Sequence, residues 1–257
     1  MPFTAKSGKF NASIKTVTIG TGDKAITLGG ENALPLQSFD APFANAPKVG
    51  IEITDFGMEH EPECIQKYYE GCSSIADIAK KAASFDVVDF LSFRLEGGDP
   101  NGANKSTDEL IAMVKEVAEA VDLPLVICGS KNAERDAELL GKAAEAVQGK
   151  NALILAAKEE NYKTVGAAAG LAYNQVVGAE SSVDINLAKQ LNVLLSQLGV
   201  KPESVVMNVG TAAAGYGYEY VASTMQRVKS AALSQNDAQL QMPIISPVAS
   251  ETWSTKE

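Results

Sequence analysis

The fold of this chain is decided by residues 48–54, which read KVGIEIT, and by six later runs of the same kind. Each run is short, apolar and rich in β-branched residues, and a helical pattern follows it. The later runs are VVDFLSF (87–93), PLVICG (124–129), ALILAA (152–157), NQVVG (174–178), SVVMNVG (204–210) and PIISPV (243–248). Apolar strands that alternate with helices predict a parallel sheet that is buried on both faces.

The predicted fold class is α/β, as a TIM (β/α)8 barrel. The even spacing of the units favours a barrel over a doubly wound sheet, and no Gly-x-Gly-x-x-Gly loop follows the first strand. A closed barrel of this kind has eight strands, so the last β/α unit is missing from the predicted set. The predicted strands cover residues 49–54, 87–93, 124–129, 153–156, 175–178, 205–208 and 244–246.

The segment before the barrel predicts a β-hairpin. The predicted hairpin covers residues 14–30. From residue 13 the chain reads SIKTVTIG, then the turn TGDK, then AITLGG, so two alternating runs flank a glycine-containing turn. Such a hairpin could plug the amino-terminal end of a barrel. We therefore divide the chain into a lead-in over residues 1–47 and a TIM barrel over residues 48–257, which carries strands one to seven of eight.

Composition excludes several classes of function. The 257 residues are 46% hydrophobic and carry a net charge of −10, which argues against a nucleic-acid surface because phosphate binding needs clustered Lys and Arg. No apolar run approaches the length of a membrane span, and the first residues lack the apolar core of a secretory signal. Three cysteines without a C-x-x-C spacing predict a reduced, cytoplasmic protein with neither a zinc ribbon nor an iron–sulfur cluster of its own.

Candidate site residues are those that follow the strand ends, because barrel enzymes build their sites in these loops. They are rich in Asp, Asn, Gly and Tyr. We select Asp99, Asn101, Asn104, Asp184, Asn186, Asn208 and Tyr216 as candidates that face a cofactor or a partner domain. Asx residues also favour turns and helix caps for purely local reasons, so a structural role for Asp184 as a cap stays open.

The sequence lacks the residues of several kinds of catalytic site. His60 is the single histidine, so the chain cannot supply a two-histidine metal site, and a distributed catalytic triad is not indicated. We expect His60 to be an exposed loop residue and Cys128 to be a packing residue inside a strand. We predict neither catalytic nor metal-ligating residues.

A set of ordered motifs resembles one known family. The motifs are GGENALP (29–35), P-x-VGIEI (47–53), EGGDPNGAN (96–104), ENYKTVGAAA (160–169), S-x-VDINLAKQLN (181–192), GYGYEY (215–220) and ETWSTKE (251–257). Together they resemble the small subunit of the corrinoid iron–sulfur protein, which is the delta subunit of the acetyl-CoA decarbonylase/synthase complex. The resemblance covers essentially the whole chain.

The resemblance implies a dihydropteroate-synthase-like TIM barrel that forms a heterodimer with a large subunit. The large subunit would carry the iron–sulfur cluster, and the cobalamin (corrinoid) would be shared between the two subunits. The pair would carry a methyl group from methyltetrahydrofolate, by way of a methyltransferase, to acetyl-CoA synthase in the reductive acetyl-CoA (Wood–Ljungdahl) pathway. Carbon monoxide dehydrogenase would be a further partner. The small subunit would cover the cofactor without making or breaking bonds, and the eighth strand would follow residue 257.

Two other hypotheses stay open. The barrel could be a pterin-dependent methyltransferase in which Asp99, Asp184 and Asn208 hold the pterin ring. It could also be a structural scaffold of the complex, with no role for the Asn-rich loops. Neither hypothesis requires nucleic acid or a membrane.

Overall fold

The computed structural model describes residues 8–34 and 43–252. Pro35 of the GGENALP motif and residues 253–257 of ETWSTKE lie outside the described residues. The structure is α/β: one antiparallel hairpin precedes a seven-stranded parallel sheet whose strands neighbour one another in chain order. This agrees with the predicted barrel topology as far as the seven strands go.

The strands and helices have the following bounds. The hairpin consists of β1 (Val17–Ile19) and β2 (Ile26–Leu28), and the sheet consists of β3 (Gly50–Thr54), β4 (Phe90–Arg94), β5 (Leu125–Cys128), β6 (Leu153–Ala157), β7 (Val176–Glu180), β8 (Val205–Asn208) and β9 (Ile244–Ile245). The helices are α1 (Glu63–Gln66), α2 (Ile75–Ala83), α3 (Thr107–Ala120), α4 (Ala133–Ala146), α5 (Tyr162–Val165), α6 (Ile185–Leu198), α7 (Tyr218–Ser234) and α8 (Ala249–Thr252).

The predicted strands differ from the observed ones by one to three residues at several of their ends. The second strand of the sheet begins at Phe90 rather than at residue 87, because Val87 is 75% exposed and lies outside the ladder. The strand predicted over 175–178 continues to Glu180. The helical run GAAAGLA is a π-helix over Gly166–Ala172, where the small residues admit Leu195 to within contact of Gly166.

Two apolar layers follow from the alternation of side chains along each strand. Residues such as Leu91, Phe93 and Ile127 face outward and pack against the helices, while Val126, Leu155 and their neighbours face the inside of the curled sheet. Burial of both faces explains why the strands read as almost continuous apolar runs.

The hairpin covers the amino-terminal end of the sheet. Val17, Ile19 and Ile26 are buried among the inward-facing strand residues. Asn151, just before β6, donates from Nδ2 to the Thr18 carbonyl at 2.8 Å. These contacts agree with a plug at this end, whereas the division of the chain at residue 47 stays a prediction.

The sheet does not close among the described residues. β9 pairs with β8, β3 pairs with β4, and no ladder joins β9 to β3 within residues 8–34 and 43–252. Both strands instead line one apolar cavity of about 940 Å³, together with α7 and the hairpin. The expected eighth strand stays a prediction. In the part of the chain that is described, no helix has the length and apolar character needed to cross a membrane.

Candidate functional site

The candidate site is the carboxyl-terminal end of the parallel sheet, which we call the mouth. All seven strands run in the same direction, so the loops that follow them meet at this one end. The side chains of the mouth form an inner layer on the strands themselves and an outer layer on the loops.

A buried ion pair between β3 and β4 dominates the inner layer. Arg94 donates from Nε to Glu52 Oε1 and from Nη2 to Glu52 Oε2, both at 2.9 Å, while the two side chains are only 8% and 9% exposed. Burial opposes the charge of the guanidinium, but attraction to the Cys128 sulfur when it is ionised and to the Glu52 carboxylate outweighs burial, so the pKa of Arg94 is raised. The two side chains therefore neutralise each other's charge in the interior.

Cys128 lies beside this pair and is an inert thiol. Its sulfur is 3.4 Å from the Ser92 hydroxyl and is fully enclosed. Burial raises the pKa of Cys128 to about 11, because a thiolate would be desolvated there. The prediction that Cys128 packs inside a strand is confirmed.

A second polar group joins the ends of β6, β7 and β8. Asn208 donates from Nδ2 to Glu180 Oε2 at 3.2 Å, and its Oδ1 accepts from the Gly210 backbone at 3.0 Å. Lys158 neutralises Glu180 at 3.2 Å. The structure thus places the candidate Asn208 in the inner layer, almost fully buried, with both ends of its amide already bonded.

A third charged contact ties the loop after β3 to the loop after β4. The Asp55 carboxylate is completely buried, and it accepts from the Gly97 backbone at 2.9 Å and pairs with Lys105 at 2.9 Å. Lys105 also lies 4.5 Å from the centre of the Phe56 ring. A methyl group on Gly97 would lie 2.2 Å from Asp55 Oδ2, so only glycine permits this approach.

The candidates after β4 build their own turn. Asp99 Oδ1 accepts from the Asn101 backbone at 2.9 Å and from its side chain at 3.3 Å. Asn104 takes a left-handed backbone with φ of 49°, which asparagine tolerates well. Asn101 and Asn104 are exposed and Asp99 is half-buried, so the loop presents amide groups to solvent.

The candidates after β7 begin a helix. Asp184 is the N-cap of α6, and its Oδ1 accepts from the backbones of Asn186 and Leu187 at 2.8 and 3.1 Å. Both Asp184 and Asn186 are exposed. The cap role that the sequence left open is confirmed, and the second carboxylate oxygen of Asp184 accepts no hydrogen bond from the described residues.

Two tyrosines mark the rim next to these caps. Tyr216 is 56% exposed in the loop after β8, and Tyr220 is 67% exposed on the first turn of α7. Tyr218 begins α7 and is half-buried rather than lying in a loop. The structure therefore groups the candidates on two arcs of the mouth, one after β4 and one after β7 and β8, which β5 and β6 separate.

The opposite rim of the mouth is acidic. Burial raises the pKa of Glu61, and the neighbouring charges of Glu52 and Glu96 raise it further. His60 is exposed in the same loop and stacks edge-on against Phe56 at 4.6 Å between ring centres, as predicted for an exposed loop residue. No group of three metal-ligating side chains occurs among residues 8–34 and 43–252.

The charged residues of the inner layer were not among the predicted candidates, because candidates were chosen only from the loops that follow the strands. Glu52, Arg94 and Glu180 lie within strands, and Lys158 directly follows one. A signal was present: the runs GIEIT and FLSFR each carry a charge among apolar residues. Charges of opposite sign on successive parallel strands indicate an interior pair, since an unpaired charge would be costly there.

Comparison with known proteins gives a consistent result. A family model described as CO dehydrogenase/acetyl-CoA synthase delta subunit matches residues 16–257. The chain is 34% identical over 251 residues to the acetyl-CoA decarbonylase/synthase complex subunit delta of Methanothermobacter thermautotrophicus, covering 96% of this chain and 63% of the relative. It is 34% identical over 239 residues to subunit delta 1 of Methanosarcina thermophila, covering 93% and 54%.

A third relative gives a similar result. The delta subunit of Archaeoglobus fulgidus is 31% identical over 239 residues, which cover 93% of this chain and 52% of the relative. The chain thus spans between about half and two thirds of the length of the curated relatives it matches. On the extent of the family match and on these identities, the chain belongs to the CO dehydrogenase/acetyl-CoA synthase delta subunit family.

Proposed function

We propose that this chain is the part of a corrinoid iron–sulfur protein small subunit whose barrel mouth covers a cobalamin held by a large subunit. Membership of the delta subunit family supports this proposal, as do relatives named as subunits of the acetyl-CoA decarbonylase/synthase complex. The iron–sulfur cluster would reside on the large subunit only. We further propose a dihydropteroate-synthase-like barrel and a cytoplasmic location.

The observation that supports the proposal most is that the buried carboxylates of the mouth are paired with basic side chains. Glu52 is bound by Arg94, Asp55 by Lys105 and Glu180 by Lys158. Each of these carboxylates is neutralised by a neighbour, and Cys128 is protonated. Such a surface can exclude water and hold a ligand, but it does not offer an activated nucleophile next to a base.

The outer layer fits the periphery of a corrinoid, which carries amide side chains and methyl groups around a flat ring. The amides of Asn101, Asn104 and Asn186 can donate and accept hydrogen bonds, and the second oxygen of Asp184 can accept one. The exposed ring of Tyr216 offers a flat apolar surface. Asn208 does not fit this role directly, because its amide is buried and bonded, and it instead positions Glu180.

The bound group would supply a cobalt centre that accepts and donates a methyl group, and this chain would supply the enclosure. Exclusion of water from a reactive cofactor is an established use of a closed site. The methyl group would come from methyltetrahydrofolate through a methyltransferase and pass to acetyl-CoA synthase, in the reductive acetyl-CoA pathway. Carbon monoxide dehydrogenase would be a further partner in the complex.

Reconstitution with the large subunit tests the proposal. The full-length protein that carries this chain is purified alone and with its large subunit, and cobalamin retained after gel filtration is measured by its visible absorbance. We expect cobalamin to be retained best by the pair. Methyl transfer from methyltetrahydrofolate to free cobalamin by the lone subunit would instead support a pterin-dependent methyltransferase, and retention by the large subunit that is independent of its partner would support a scaffold.

Variants of the outer layer sharpen this test. Asn101→Ala and Asn186→Ala each remove an exposed amide of the mouth while leaving the inner ion pairs intact. Asp23→Ala, in the exposed hairpin turn at the other end of the sheet, is the control. The proposal predicts faster loss of cobalamin from the two mouth variants and unchanged retention in the control, and equal retention in all three would contradict it.

A further inference from the structure

The segment that follows β9 turns across the mouth. It covers residues 246–252 and includes α8, and we call it the strap. Glu251 of the strap pairs with Lys131 at 3.3 Å, and Lys131 lies in the loop that follows β5. Three strands separate β5 from β9 in the sheet, and strands four places apart face each other across the interior of an eight-stranded barrel. The strap therefore spans the mouth from one side to the other.

The strap begins next to β8 and is folded on itself. Ser246 Oγ donates to the Gly210 carbonyl at 3.4 Å, in the loop after β8. Within the strap, the Val248 N–H donates to the Ser246 carbonyl at 3.0 Å, and the Glu251 N–H donates to the Val248 carbonyl at 3.2 Å. A movement of the strap about its attachment to β9 would leave these two local bonds intact.

The far end of the strap meets the charged groups of the inner layer. Lys158, which neutralises Glu180, also donates from Nζ to the Lys131 carbonyl at 3.5 Å. Glu180 in turn accepts from Asn208. Glu251 therefore adds a carboxylate to a line of polar contacts that follows the ends of β5, β6, β7 and β8. The strap is held by the residues that a ligand of the mouth would approach.

The strap also lies beside the interior of the curled sheet. Pro247, Val248 and Ala249 line the cavity of about 940 Å³, whose other walls include the inward-facing Val126 and Leu155. Val248 is 46% exposed. A surface that settles onto the mouth from outside would thus meet the strap before it reached the inner layer.

The ion pair at the far end, which we call the latch, is a weak contact. Lys131 is 53% exposed and Glu251 is 33% exposed, whereas the side chains of the buried pair Arg94 and Glu52 are 8% and 9% exposed. Exposed ion pairs contribute little to stability and are screened by salt. A latch of this kind can favour one position of a short segment and still be broken by a binding partner.

We propose that the strap is a gate over the mouth, closed by the latch between Lys131 and Glu251, and that it swings aside when a partner surface binds there. The inference rests on the proposed function in one respect, since it takes the corrinoid-loaded large subunit as that partner. A partner that binds only the open state binds more weakly in proportion to the fraction of molecules that are open. Closing the gate and binding the large subunit therefore compete.

A covalent latch tests the gate directly. Lys131→Cys and Glu251→Cys are introduced into the full-length protein, with the exposed Cys64 and the half-buried Cys72 changed to serine, and a short bismaleimide joins the two new thiols. The same variant treated with N-ethylmaleimide is the matched control, because its thiols are blocked without being joined. We expect the cross-linked protein to bind the loaded large subunit at least about tenfold more weakly than this control.

Either of two results would overturn the gate. Equal binding by the cross-linked and control proteins would mean that the strap does not obstruct the partner. Absence of the cross-link in mass spectra, with both new cysteines modified separately, would mean that the strap does not reach the loop after β5. Failure of the unchanged protein to bind the loaded large subunit would overturn the proposed function, while the cross-link would still show whether the strap spans the mouth.

Reversal of the two latch charges provides a second test. Lys131→Glu and Glu251→Lys alter the net charge in opposite directions, yet each breaks the latch, so both are expected to bind the loaded large subunit about two- to fivefold more tightly. Hydrogen exchange over residues 246–252 should be faster in both. The double variant Lys131→Glu/Glu251→Lys should restore the original binding and exchange, and Lys142→Glu, at an exposed pair on α4, should change neither. Opposite effects of the two single variants on binding would mean that surface charge acts rather than the latch.

Discussion

Removal of Arg94 is expected to destabilise the protein strongly, because it leaves the Glu52 carboxylate buried without its partner. The two side chains share two hydrogen bonds of 2.9 Å and are about nine-tenths buried. Loss of one member of such a pair costs about 3–5 kcal/mol. Glu52 also lines the large cavity beside β3, where water can reach it, so we expect Arg94→Met to lower the free energy of unfolding by about 3 kcal/mol.

Urea unfolding followed by circular dichroism measures this loss, with linear extrapolation to water. The double variant Glu52→Met/Arg94→Met removes both charges and fills the space with apolar atoms, so it is expected to lie within about 1 kcal/mol of the unchanged protein. The surface pair Lys142–Glu138, whose side chains are 47% and 59% exposed, is the control, and Lys142→Met is expected to cost about 0.5 kcal/mol or less.

Either of two results would contradict the expected destabilisation. A cost for Arg94→Met no larger than that of Lys142→Met would mean that water from the cavity solvates the Glu52 carboxylate fully once its partner is removed. The single variant Glu52→Met is measured as well. A cost for the double variant as large as the summed costs of Glu52→Met and Arg94→Met would mean that the side chains stabilise the fold through packing rather than through each other's charge.

Three other parts of the structure can be tested by single substitutions or by labelling. Gly97→Ala is expected to lower the free energy of unfolding by about 2 kcal/mol or more, because the added methyl group displaces Asp55. Limited proteolysis should then cut the loop over residues 96–104, and a loop as resistant as that of the unchanged protein would contradict this. Burial raises the pKa of Cys128 to about 11, so only about one molecule in a thousand carries the Cys128 thiolate at pH 8. Iodoacetamide should therefore label the exposed Cys64 and spare Cys128 until the pH approaches 11. Labelling of both cysteines at pH 8, detected by mass spectrometry of the native protein, would be inconsistent with a closed interior. Asn151→Ala removes a hydrogen bond to the hairpin and should lower the stability of the hairpin by about 1 kcal/mol. We expect faster hydrogen exchange of the β1 amides, whereas an unchanged exchange rate would show that apolar contacts alone hold the hairpin.

The order of strands and helices could be predicted because it depends on hydrophobic patterns and capping residues that are local in the sequence. Burial on both faces makes every strand of a parallel sheet apolar, and Ser106, Asp184 and Gly199 mark helix ends through contacts within a few residues. The bounds of strands were less accurate. Val87 is apolar but exposed, since the ladder of β4 begins where Phe90 lies opposite Gly50, and a neighbouring strand rather than local composition sets that point.

The placement of the candidate residues could be predicted in part, while their role as a site stays a prediction. The loops that follow β4, β7 and β8 do meet at one end of the sheet, as parallel strands require. Asn208 was expected to face a ligand, but the structure places it beneath the surface, bonded to Glu180 and Gly210. Its direction depends on the register of β7 against β8, which a single sequence does not carry.

The sequence by itself determined the α/β class, the seven strand–helix units, the helix caps and the scarcity of catalytic side chains. The tertiary structure alone decided which charges neutralise one another, as in the pair of Glu52 with Arg94. It also decided that the hairpin closes the amino-terminal end and that the strap reaches across the mouth to Lys131. The physical reason is the sequence separation of the contacts involved. Periodicity and helix caps depend on neighbours along the chain, whereas ion pairing, the closing of the sheet end by the hairpin, and the course of the strap depend on contacts between residues far apart in sequence.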